Sequence, residues 1–149
     1  MKIAALILFT FLCSTVMAQQ QNDAIKKCIN TFFNGMKGND TTVINSTLDS
    51  SCFLYSITTT KEGKTVLENE TVAGFLNQVI QMKGNKADEQ LLSYDIKIDG
   101  AMAIAWTPYK FYFNDTFSHC GVDVFTLIKR GATWKIMGIT DTRRRQGCE

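Results

Sequence analysis

The stretch Phe117–Arg130, "FSHCGVDVFTLIKR", decides how this chain is read. It holds the only histidine of the sequence, with a cysteine, a glycine and an aspartate in the next four positions. Its β-branched and aromatic residues alternate with the rest, which predicts a strand. On a strand His119, Gly121, Asp123, Phe125 and Leu127 share one face, and Cys120, Val122, Val124, Thr126 and Ile128 share the other. His119 and Asp123 are then ~13 Å apart at ~3.3 Å per residue, too far for a hydrogen-bonded His–Asp pair. Cys120 points away from His119, which argues against a Cys–His nucleophile pair.

Both neighbours of this stretch are also strands. "AMAIAWTPYKFYF" (101–113) precedes it across the turn "NDT", and "WKIMGITDTRR" (134–144) follows across "RGAT". Pro108 inside the first implies an edge, a bulge or a bend. With Asp115-Thr116 as one loop, Tyr112 falls opposite His119, Lys110 opposite Gly121, Pro108 opposite Asp123 and Trp106 opposite Phe125. With Arg130-Gly131 as the other, Thr142, Thr140, Gly138 and Ile136 fall opposite His119, Gly121, Asp123 and Phe125. One face is then graded. It is apolar at Ile104, Trp106, Phe125, Leu127, Trp134 and Ile136, and polar at Lys110, Tyr112, His119, Asp123, Thr140 and Thr142. The opposite face would carry Ala103, Ala105, Thr107, Tyr109, Phe111, Val122, Val124 and Thr126. A one-residue slip in either turn would exchange these faces.

Further upstream, "LLSYDIKID" (91–99) alternates and ends at Asp99-Gly100, a hairpin signal. Residues 70–82 form a helical pattern with Val72, Phe75, Leu76, Val79 and Ile80 on one side. "CFLYSITTT" and "TVLE" read as strands about the turn "KEGK". "NDTTVINST" starts with cap residues and reads as a short helix. Residues 23–38 are an amphipathic helix with Ile25, Ile29, Phe32, Phe33 and Met36 at its spacing, Asp23 as its cap and Gly38 at its end.

The first 18 residues read as a leader. Lys2 supplies a positive start, "IAALILFTFLCSTV" is an apolar run of signal-peptide length, and Val16 and Ala18 sit at the −3 and −1 positions of a cleavage site. Cleavage after Ala18 leaves a single domain, residues 19–149, and predicts a secreted or periplasmic location. Cys13 leaves with the leader. Cys28, Cys52, Cys120 and Cys148 then admit up to two disulfides in three connectivities, or four buried thiols. No C-x-x-C spacing exists, and one histidine cannot build an imidazole-rich metal site, so no metal is expected. Asn39, Asn45, Asn69 and Asn114 match the N-glycosylation pattern, which chance supplies readily in a chain this rich in Asn and Thr.

The formal charge is +2 over 149 residues, with 45% hydrophobic residues. That balance excludes a disordered chain and a strongly basic nucleic-acid binder. "RRR" at 143–145 reads as a solvated tail. No Walker or dinucleotide glycine loop occurs, so no cofactor is expected.

Helices first and a meander of long strands last predict an α+β fold with a curved sheet wrapped on helices. The segments "AIKKCINTFFNGM", "AWTPYKFYF", "HCGVDVFTLIKR" and "WKIMGITDTRR" resemble the nuclear transport factor 2-like superfamily, in particular its secreted bacterial lumazine-binding-like group. The resemblance implies a cone-shaped fold, N-terminal helices on a mostly antiparallel sheet, and a homodimer formed through the outer sheet face. It does not imply one function, because the fold hosts isomerases, dehydratases, cyclases and binding modules. The ketosteroid isomerase pattern of a tyrosine and paired aspartates has no match here.

From these residues the cone is expected to hold a small ligand, contacted by Tyr55, Trp106, Tyr112, His119, Asp123 and Thr140. An alternative is cofactor-free acid–base catalysis. Asp123 would be a desolvated base, and His119 or Tyr112 the hydrogen-bond donor. A third reading makes the domain a non-catalytic interaction module, with Asp123 paired to Lys110 and His119 in solvent. Trp106 and Trp134 read more simply as packing than as ligand stackers.

Overall fold

The computed structural model describes the backbone of residues 2–148 and side chains from Ala18 onward. The predicted leader, with Cys13, falls outside the described side chains. Helix α1 (Lys2–Lys37) runs through Asp23, which accepts from Gln19 Nε2 one turn earlier (2.9 Å) instead of capping a helix start. Helix α2 (Thr41–Thr47) is capped by the Asp40 carboxylate, which accepts from the Thr42 and Val43 amides. Strands β1 (Leu48–Thr59) and β2 (Thr65–Glu70) form a hairpin, and helix α3 (Val72–Gln81) starts from the Thr71 hydroxyl as cap. The expected strand 91–99 is realised as β4 (Asp95–Asp99), and Leu91 instead ends a separate strand, β3 (Ala87–Leu91), that the sequence reading did not include. The long strands β5 (Met102–Phe113), β6 (Thr116–Arg130) and β7 (Thr133–Arg144) follow.

One sheet contains them all, in the order β2-β1-β7-β6-β5-β3, with β4 also on β5. Only β1–β7 is parallel. Strands β3 and β4 share the same side of β5, β4 along Met102–Trp106 and β3 along Tyr109–Phe113. Pro108 sits where that edge is interrupted. Its missing N–H leaves no donor unpaired in the gap, and its carbonyl accepts from the Leu92 amide at 2.8 Å.

Two bulges set which residues look inward. The β5–β6 turn is Asn114-Asp115, both at positive φ (50° and 62°), the geometry a two-residue hairpin turn requires. This is one residue earlier than expected. A bulge at Ser118 shifts the register again, so Phe111, Tyr109, Thr107 and Ala105 face His119, Gly121, Asp123 and Phe125. The odd residues of β5 are therefore inside, and Trp106, Lys110 and Tyr112 are outside, the reverse of the sequence expectation. On β7, Trp134 and Ile136 are inside as expected. A bulge at Met137 then reverses the alternation, placing Ile139 and Asp141 opposite Phe125 and Asp123. Thr140 and Thr142 turn outward.

The helices cover the inner face. Ile25, Ile29, Phe32 and Met36 of α1, Ile44 of α2 and Val79 of α3 bury against Ala103, Ala105, Phe125, Leu127, Trp134 and Ile136. Phe32 stacks on Phe75 of α3 at 5.7 Å and meets Phe125 edge-on at 6.5 Å. Gly121 and Gly138 are points of close approach. A Cβ on Gly121 would stand 1.7 Å from the Thr142 carbonyl oxygen, and one on Gly138 would stand 2.1 Å from the Phe53 ring. Cys120 and Cys148 form a disulfide, which ties the C-terminal tail to the outer side of β6, while Cys28 and Cys52 are free thiols. Among the described residues no helix is long and apolar enough to cross a membrane.

Candidate functional site

The sheet register assembles the site before any side chain is considered. Ser56 of β1, Asp141 of β7, Asp123 of β6 and Thr107 of β5 occupy one cross-strand row on the inner face. Asp123 and Asp141 are thus direct neighbours. Like charges opposite each other destabilise a sheet unless they are compensated. Asp141 is compensated: it accepts from Arg143 Nε at 2.8 Å and from the Ser56 hydroxyl. The Tyr109 hydroxyl lies 3.5 Å from its other side and donates to the Thr142 carbonyl at 3.0 Å.

Asp123 has no such cation. It is 3% exposed, and its Oδ2 is fully buried without a donor. Its neighbour is Glu89 of β3, whose carboxyl group is within hydrogen-bonding reach. Two carboxylates cannot bond to each other without a proton, and a buried carboxylate oxygen with no donor is costly. One shared proton resolves both problems. Burial, first, and then the charge and hydrogen bond of Glu89 hold the Asp123 carboxyl well above the usual range. Burial, and secondarily Asp141, raises Glu89 to about 7, against the lowering effect of its bond to Asp123 and of Arg143. The pair titrates as a unit. Tyr109 is pushed upward by burial and then by the charges of Glu89, Asp141 and Asp123, so it stays a neutral donor. His119 is lowered by burial and then by Arg143, which keeps the ring neutral near pH 7. Its Nδ1 lies 3.1 Å from Ser118 Oγ, and its ring packs on Phe111 at 4.9 Å.

These groups form the polar end of a cavity of about 470 Å³ between α1, α3 and the curved sheet. Its apolar walls include Phe32, Phe33, Met36, Phe75, Phe111 and Ile139. The volume and the mixed lining are those of a site for a small molecule.

The structure brings together only some of the residues chosen from sequence. Asp123 and His119 line the cavity. Tyr55 borders it, but its ring packs on Phe53, in the outer row of Thr140 and Val124. Trp106 is on the outer face and 52% exposed, and Tyr112 and Thr140 also face outward, because of the two bulges. Lys110 is on the outer face too, so it does not pair with Asp123. Cys120 is consumed by its disulfide. Arg143, read as tail, stands at the cavity mouth on Asp141.

Sequence reasoning missed Glu89, Asp141 and Arg143. The signal for Glu89 is "ADEQL", where Ala87 and Leu91 alternate with it on one strand face. Ile139, Asp141 and Arg143 also alternate, but only a bulge beforehand turns that set inward. Among the described residues no group of three His, Cys, Asp or Glu side chains is placed to hold a metal ion.

Residues 20–139 match the family model described as "Putative lumazine-binding". The chain belongs to this family. Its fold is that of the nuclear transport factor 2-like superfamily. An NTF2-like protein of unknown function from Shewanella baltica OS155 superposes with a TM-score of 0.63 at 16% identity, over 85% of this chain and 96% of that one. A protein from Streptomyces avermitilis, described as a putative dehydratase of the NTF2-like family, gives 0.62 at 9% identity over 85% and 98%. A protein from Novosphingobium aromaticivorans, described as a putative scytalone dehydratase, gives 0.67 at 8% identity over 87% and 88%. At these identities the likeness carries the fold alone. No curated protein matches the sequence.

Proposed function

We propose that this member of the lumazine-binding-like family binds a small, flat, partly apolar molecule in the cone. The observation that carries the reading is the cavity of about 470 Å³, walled by phenylalanines and ended by a proton-sharing acid pair. The family description supports a small-molecule ligand. Titration with lumazine, followed by thermal shift and ligand-observed NMR, tests the reading. Saturable binding that Asp123→Asn weakens supports it. Absence of binding by lumazine and by other bicyclic heterocycles, with no ligand retained in native mass spectrometry, refutes it.

A second reading is cofactor-free acid–base catalysis, as an isomerase, dehydratase or cyclase. It is favoured by Glu89, a cavity-lining carboxyl raised to about 7, which matches a proton-transfer role near neutral pH. In that reading the buried Asp123 positions Glu89, which burial and then the charge of Asp141 raise. The names of the two neighbours described as dehydratases point in the same direction.

The protein is proposed to act outside the cytoplasm, on the strength of the leader pattern and the Cys120–Cys148 disulfide. It is proposed to pair with a second copy through the outer sheet face. Met102, Ile104 and Trp106 are 53%, 41% and 52% exposed there, and Phe53 and Tyr55 share that face on the rows of Ile104 and Trp106.

A further inference from the structure

The charge of the cavity is opposite to that of the chain. The sequence carries a net +2, yet five acids line the cavity: Glu68, Glu70, Glu89, Asp123 and Asp141. They come from β2, β3, β6 and β7. Facing them are Arg143 of β7, His119 of β6 and the hydroxyls of Tyr55 and Tyr109, while α1 and α3 contribute no charged side chain to the lining. Arg143 is already engaged by Asp141 at 2.8 Å. Glu70 accepts from Gln78 Nε2 and the Thr71 amide, and Glu68 from the Thr58 hydroxyl. Of the five acids only Asp141 has a cation, and only the Glu89–Asp123 pair leaves a buried oxygen, Asp123 Oδ2, without a donor.

An apolar-walled cleft lined by one sign of charge concentrates ligands of the other sign. The absence of a metal-holding cluster among the described residues points to an organic cation. The aromatic walls suit a flat one, since a cation beside aromatic faces gains from their quadrupoles. We propose that the cavity takes an organic cation, a protonated nitrogen on a flat apolar body, with the nitrogen docked on the Glu89–Asp123 pair. This rests on the small-molecule reading above and names its ligand class. On docking, the N–H groups replace the shared proton as the donor between the two carboxyls. That proton leaves to solvent, and the pair becomes a dianion neutralised in part by the ligand.

Three probes of nearly equal shape test this on the purified protein: naphthalene-2-carboxamidine (a cation), naphthalene-2-carboxamide (neutral) and naphthalene-2-carboxylate (an anion). Calorimetry at pH 7 in two buffers of different ionisation enthalpy reads affinity and proton release together. The amidine is expected to bind roughly tenfold or more tighter than the amide, with the carboxylate weakest. Amidine binding should release up to about one proton, and amide binding none. Glu89→Gln and Asp123→Asn, both isosteric, should erase the amidine preference and the proton release. The wild-type ranking stands as a test even where a variant folds poorly. Equal binding of amidine and amide, or tighter binding of the carboxylate, overturns the cation assignment and leaves a small-molecule cavity standing. Failure of all three to bind overturns both.

Discussion

Asp123→Asn should make the protein more stable at pH 8, although it alters a carboxyl group buried in the cavity wall. The reasoning starts from the proton shared with Glu89. In an unfolded chain Glu89 titrates near its ordinary value of about 4.3. In the fold it is raised to about 7, and Asp123 moves in the same direction. Between those values the folded state binds more protons than the unfolded chain. The stability contributed is therefore fully present below about pH 4 and is lost as pH rises through 7. For Glu89 alone the loss is at most about 4 kcal/mol at 1.36 kcal/mol per pH unit. His119 works in the opposite sense. Its lowered value costs stability at acid pH, and that cost fades as pH rises above the ordinary value of about 6.5. Cys28 and Cys52, raised to about 11, begin to matter only above about pH 8.5. The diagnostic window is thus pH 6.5 to 8.5.

Asn has the volume of Asp, donates to Glu89 without a proton of its own, and lets Glu89 ionise alone. The gain at pH 8 should be about 1–3 kcal/mol, or roughly 3–10 °C in Tm for a chain of this size. Scanning calorimetry at pH 5, 6.5 and 8 measures it. The wild-type Tm should fall from pH 6.5 to 8, the variant should hold, and the two should converge near pH 5. A wild-type Tm that is flat or rises across the window, with no advantage for the variant at pH 8, would refute the shared proton.

Three other outcomes follow from the packing. Cys148→Ser, or reduction of the wild type, opens a disulfide spanning 28 residues and should cost about 3–4 kcal/mol in urea unfolding; a midpoint unchanged by reductant contradicts the bond. Gly121→Ala should destabilise by more than about 2 kcal/mol, because its Cβ would need the space of the Thr142 carbonyl and the Tyr109 ring; a change within about 0.5 kcal/mol argues against that close approach. Trp106→Lys should convert a dimer to monomers in sedimentation with little change in monomer fold; a wild type already monomeric at high concentration removes the outer-face dimer.

Much of the fold was legible because helical and strand periods were clean. Ile25, Ile29, Phe32 and Met36 on α1 and the alternation of β5 to β7 gave each element and its order. The inward set on β6 was also legible, since alternation alone places His119, Asp123, Phe125 and Leu127 together. What alternation could not supply was register between strands. Asn114-Asp115 in place of Asp115-Thr116 shifts the pairing by two and keeps the faces; the extra residue at Ser118 moves Trp106 and Tyr112 to the opposite face, and one at Met137 does the same to Thr140. A bulge adds one residue without changing composition, so nothing in the hydrophobic pattern marks it. Glu89 was hidden for another reason. The strand that carries it has five residues and is flanked by polar turns, so its pattern is too short to stand out. The acid pair is long-range in sequence, 34 positions apart, and only the sheet's curvature joins its two members.

The gap at Pro108 has a consequence for the behaviour of the chain in concentrated solution. A long outermost strand invites neighbours to add themselves to the ladder, the first step towards aggregates. Here that border is divided between two strands of five residues, β3 and β4, with an imino acid behind the break. Neither offers a run long enough to template a foreign strand. Filling the gap by replacing Pro108 and joining the two pieces would create such a run, so the interruption protects solubility.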